Sequence, residues 1–128
     1  PMIPGLNDAE LERILEAAAG AGARSAGAIL LRLPHELGAL FTDWLQRCVP
    51  DRAAHVLSLI RQTRGGSLND SNFGSRFRGS GPYAGLLAAR FRRAARQYGL
   101  DTAQPPLDCT AFARPVRTSE PDAQLSLF

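Results

Sequence analysis

The chain has 128 residues and a formal net charge of +3, and all of its 15 cationic residues are arginine. That length supports one ordinary core, no apolar run reaches the roughly 18 residues of a membrane span, and no signal peptide is present. Cys48 and Cys109 stand far apart, with no CxxC and no histidine at ligand spacing. This excludes a zinc or iron–sulfur site built from this chain alone and fits a reduced cytoplasmic setting.

In chain order, Met2–Ile3 is a short apolar piece closed by Pro4–Gly5. Asn7 then offers an N-cap with Glu10 at capping-box spacing. Leu11, Ile14, Leu15 and Ala18 recur at helical spacing up to Gly20 and Gly22. Residues 25–33, SAGAILLRL, carry a nearly continuous apolar run, which predicts a strand covered on both faces. Strand, helix and strand in this order predict a βαβ unit with a right-handed crossover. Pro34 opens a helix whose inward face would hold Leu37, Leu40, Phe41, Trp44, Leu45 and Cys48. Val49–Pro50 breaks it, and Asp51 starts the next, with Ala53, Val56, Leu57 and Ile60 inward and Gly65–Gly66 as its stop. Pro82 opens a further helix with the stripe Tyr83, Leu86, Leu87, Phe91, Ala94, Ala95 and Tyr98, ending near Gly99. From Asp101 prolines and scattered charges predict a linker or tail, which ends on QLSLF.

Charge is unevenly spread. Residues 1–60 hold five Arg and seven acids, 61–100 eight Arg and one acid, and 101–128 two Arg and four acids, giving −2, +7 and −2. An anionic partner is therefore expected at the middle third. Within it, residues 61–84 set Arg61, Arg64, Arg76 and Arg78 against the single acid Asp70, among glycines and serines that allow close backbone approach. Arg90, Arg92, Arg93 and Arg96 cluster late in the last helix, where cations suit the macrodipole.

PMIPGLND at 1–8, ARSAGAILLRLPHELGALFTDWL at 23–45, HVLSLIRQTRGG at 55–66, DSNFGSRFRGSGPYA at 70–84 and the QLSLF ending together resemble the C-terminal part of a radical SAM protein related to spore photoproduct lyase. The resemblance implies an α/β fold, the C-terminal fragment of a partial (β/α)6 barrel with two parallel strands. Residues 1–33 would be the last βαβ unit, 34–100 a helical extension containing the basic loop 61–84, and 101–128 a flexible tail. It further implies S-adenosylmethionine and a [4Fe-4S] cluster in the intact protein. The CxxxCxxC segment that holds such a cluster is missing here, so the chain would not be catalytic alone and no metal ligand is assigned. Of the family's GxIxGxxE pattern Ile3 and Gly5 match, while Pro1 replaces the glycine and Asp8 the glutamate. Ile3, Gly5, Arg32 and Leu33 would then face the cofactor.

If the parent acts on DNA, the resemblance places Arg61, Arg64, Arg76 and Arg78 on the backbone, with Phe73, Phe77 and Tyr83 available for stacking. The competing expectation is that these arginines organise the loop internally. QLSLF also resembles the pentapeptide with which bacterial replication and repair proteins bind the sliding clamp, with Gln124, Leu125, Leu127 and Phe128 as contacts. A second class of function, a non-catalytic basic module that binds nucleic acid or a protein partner, stands beside the enzyme reading.

Overall fold

The computed structural model describes residues 1–103, 106 and 108–114. Gln124, Leu125, Leu127 and Phe128 of the tail lie outside them. Among the described residues the regular elements are a 3-10 turn at Asp8–Glu10 and four helices, α1 (Leu11–Gly20), α2 (Leu37–Cys48), α3 (Pro50–Gln62) and α4 (Gly81–Gln97). No described helix is long and apolar enough to cross a membrane.

The expected pair of parallel strands does not form. Met2 and Leu30 make one isolated parallel bridge, in which the Met2 N–H donates to the Ile29 carbonyl (2.7 Å) and the Leu31 N–H to the Met2 carbonyl (2.9 Å). Pro4 has no N–H with which to continue such a ladder toward the Leu31 carbonyl. That carbonyl is taken instead by the Arg64 guanidinium at 2.8 Å. The described residues thus form a small all-helical domain and not a fragment of a (β/α)6 barrel, and the likeness to radical SAM proteins of the photoproduct-lyase type fails at the level of architecture.

The extended pieces lie between two helix pairs. Helix α1 packs on α4, α2 packs on α3, and α3 also touches α4. One core joins Leu33, Leu45, Ala53, Val56, Leu57 and Ile60, with Ile3, Leu31 and Phe41 packed against it. The other joins Leu11 and Leu15 of α1 to Ala94 and Ala95 of α4 and to Leu100. Small side chains on α4 leave room for the two leucines there. Leu30, Ala84 and Leu87 form a third cluster, and Met2 packs against both it and the α1–α4 core. Successive residues therefore point to opposite sides, Met2 toward α1 and α4 and Ile3 toward α2 and α3.

The turns follow from the local sequence. Val49 alone separates α2 from α3; it precedes a proline, leaves the helical region (φ −142°, ψ 52°), and its N–H closes α2 on the Leu45 carbonyl at 2.8 Å. Asn7 does not cap a helix with its side chain. Its Oδ1 accepts from the Ile3 N–H (2.7 Å) and its Nδ2 donates to the Pro1 carbonyl (3.3 Å), so it fastens the first turn of the chain. The face of α2 is rotated from expectation: Leu45 is fully buried, whereas Leu37, Leu40, Trp44 and Cys48 are exposed. Phe41 and Trp44 stack with ring centroids 5.7 Å apart. Helix α2 is apolar over more of its circumference than α3 alone can cover.

Candidate nucleic-acid interface

The segment between α3 and α4 is built around Arg64. Its side chain is buried, and its guanidinium donates to four backbone carbonyls: Nη1 to Arg76 (2.8 Å) and Ser75 (3.4 Å), Nη2 to Leu31 (2.8 Å) and Leu30 (3.2 Å). One side chain thus fastens the loop to the extended piece at 30–31. Burial, and secondarily the charge of Arg32, lower the Arg64 pKa, against which Asp70 acts. The loop closes where the Ser80 N–H meets the Thr63 carbonyl at 3.0 Å. Gly79 makes that closure possible: its φ is +70°, and a Cβ there would stand 2.6 Å from Leu30 Cδ1 and 3.0 Å from the Thr63 carbonyl oxygen.

Within the loop, Asp70 organises a turn. Its Oδ1 accepts from the Asn72 N–H (2.9 Å) and its Oδ2 from the Ser75 hydroxyl, and these bonds hold its carboxyl below the usual range. The Asn72 carbonyl then accepts from Arg76 N–H (2.9 Å) and the Ser75 carbonyl from Gly79 N–H (2.7 Å), a helix-like winding. Such a winding brings Phe73, Arg76 and Phe77, three and four residues apart, to one side.

The result is a ladder of alternating charged and aromatic planes. Arg32 lies 5.1 Å from the Phe77 ring centroid, Arg76 lies 4.8 Å from the same centroid, and Arg76 is 4.5 Å from that of Phe73. Phe73, the outer rung, is 82% exposed. Among the described residues, Arg32, Arg61, Arg76 and Arg78 form no ion pair, the two ion pairs being Arg47–Asp43 and Arg90–Glu12. The Nε atoms of Arg32 and Arg76 are buried without a hydrogen-bond partner. Cation–π contacts leave a guanidinium its full charge, so the ladder presents positive charge interleaved with aromatic rings.

The residues singled out in the sequence are therefore divided. Arg76 joins the ladder, Arg61 and Arg78 are exposed, and Arg64 is spent on carbonyls. Arg32, expected at a cofactor, stacks on Phe77 instead. Ile3 and Leu33 share the α2–α3 core, and a Cβ on Gly5 would come 2.9 Å from Leu59 and 3.2 Å from His55. None of Ile3, Gly5, Arg32 and Leu33 lines the apolar cleft bordered by Met2, Leu30, Leu87 and Phe91. Tyr83 is not a stacking platform: its hydroxyl donates to the buried Asp8, which also accepts from the Gly5 N–H at 3.1 Å. Beside it Arg90 holds Glu12 bidentately (2.9 and 2.7 Å) and the Asp8 carbonyl (3.0 Å). The FGSRF spacing is the signal that sets the rings of Phe73 and Phe77 around Arg76, whereas no local pattern places Arg32, more than 40 residues upstream, beside them.

Among the described residues no group of three or more His, Cys, Asp and Glu is placed to hold a metal ion. Together with the absence of a sheet among them, this overturns the reading as part of a radical SAM, iron–sulfur enzyme of DNA-repair type. No family model, curated protein or solved structure matches the chain.

Proposed function

We propose that the chain is a nucleic-acid-binding module and that its ligand is a single strand, held through the surface of Arg32, Arg61, Arg76, Arg78, Phe73 and Phe77. The observation that carries this reading is the ladder of unpaired guanidiniums and rings ending on the exposed Phe73. Arginines without acid partners suit phosphates, and an open aromatic face next to them suits a base whose own face is free. In a duplex those faces are already stacked on neighbouring bases. With phosphate contact and stacking supplying affinity, such a surface binds with little sequence choice.

Fluorescence anisotropy with a labelled oligothymidine and with a duplex of equal length, across a salt series, tests it. The single strand is expected to bind more tightly, with log K falling linearly against log salt at about −0.7 per phosphate contacted. Phe73→Ala should weaken it about tenfold or more, as loss of one stacked base does. Arg76→Glu should weaken it further and flatten the salt slope. Equal binding of strand and duplex, unmoved by Phe73→Ala, overturns the reading.

A further inference from the structure

An apolar cleft of about 430 Å³ opens beside the loop, within the ~300–1,000 Å³ usual for small-molecule sites. Met2, Leu30, Leu87 and Phe91 line it, and the exposed Arg78 and Arg92 flank it. Its remaining lining residues are all apolar. Neither arginine has an ion-pair partner among the described residues. We propose that this cleft binds a single-chain alkyl carboxylate, its tail along the apolar floor and its head on Arg78 and Arg92.

The lining decides the class. A nucleobase seated here would bury its N–H and C=O edges against side chains that offer them nothing, a cost a hydrocarbon tail does not meet. A neutral hydrocarbon would leave the two arginines that border the cleft unanswered. A tail with one anionic end answers both, as guanidinium pairs with carboxylate through parallel hydrogen bonds. The site goes beyond strand binding: Met2, Leu87, Phe91 and Arg92 take no part in the ladder, and only Phe77 and Arg78 border both.

Isothermal titration of the full chain with octanoate, decanoate and dodecanoate, each below its micellar range, tests the proposal. Saturable one-to-one binding is expected, strengthening roughly threefold to fourfold per buried methylene. Dodecanol should bind about tenfold more weakly, and Arg92→Glu should cost dodecanoate a similar factor, the loss of a charge-assisted hydrogen bond. Ala88→Phe, which fills the cleft, should abolish binding; should that variant not fold, the chain-length series on the unaltered protein decides. Dodecanol matching dodecanoate, no gain with tail length, or uptake only into phosphatidylglycerol vesicles without binding of the monomer would each overturn it.

Discussion

Arg90 meets Glu12 through two hydrogen bonds of 2.9 and 2.7 Å and the Asp8 carbonyl through a third, whereas Arg76 lies against two phenyl rings with no ion pair among the described residues. The first arrangement fastens the N-terminal turn to α4 and leaves little charge to offer a ligand. The second keeps its charge available to solvent. Arg64 is a third case, buried and spent on carbonyls from two distant segments. The number of arginines in 61–100 therefore overstates the binding surface. What separates the structural positions from the presenting ones is the partner each guanidinium has found.

The largest way to break this contrast is to remove the buried member. Arg64→Leu leaves several carbonyls without their donor and detaches 75–76 from 30–31, which should cost about 3–5 kcal/mol. Urea denaturation should show it as a lower midpoint with little change in slope. A loss under about 1 kcal/mol would mean the loop is held by something other than Arg64. Next in size is Gly79→Ala. The new Cβ at 2.6 Å from Leu30 Cδ1, on a backbone at φ +70°, should cost about 2–3 kcal/mol and loosen the ladder with it. Strand affinity should fall in this variant even though no arginine has changed.

Much of the helical frame was legible. Asp51 and Pro82, read as the starts of α3 and α4, each fall within a residue of them, and the spacing of Ala53, Val56, Leu57 and Ile60 marks the buried face of α3. The sheet was misread for a reason also present in the sequence. Apolar residues on both faces show that 30–33 is covered from two sides, but only a run of free N–H groups can make a ladder, and Pro4 interrupts it beside the Met2–Leu30 bridge. Arg64 was not distinguishable from Arg61 or Arg78, because its partners are main-chain carbonyls as many as 34 residues away. The cleft was equally hidden, since it gathers residues as far apart in the chain as Met2 and Arg92.

On the paired side of the contrast, Tyr83→Phe removes the hydroxyl donor from the buried Asp8 and should cost about 1–2 kcal/mol. Burial, and next the bond to Asp8, hold the Tyr83 proton above the ordinary tyrosine range. A folded-state pKa raised in this way contributes stability that is complete below the unfolded pKa and lost as pH rises through the folded one. The wild type should therefore lose its advantage over the Phe variant in strong alkali. A difference unchanged there would show that the hydroxyl contributes by packing and not by its proton.

The smallest expected effect belongs to Glu12. The Arg90 bond lowers its pKa, with burial acting the other way. Its side chain is 43% exposed and that of Arg90 32%, so screening limits the pair to below about 1 kcal/mol. Because the folded-state pKa is depressed, the unfolded chain takes up the proton first as pH falls. The contribution is therefore complete above the ordinary glutamate pKa and disappears as pH drops through the folded value. Glu12→Gln should accordingly differ from the wild type at neutral pH and converge with it in acid, and added salt should narrow the gap. A gap that persists at low pH would instead assign the pair's worth to the shape of the hydrogen bond, making Glu12 a fastener in which charge is incidental.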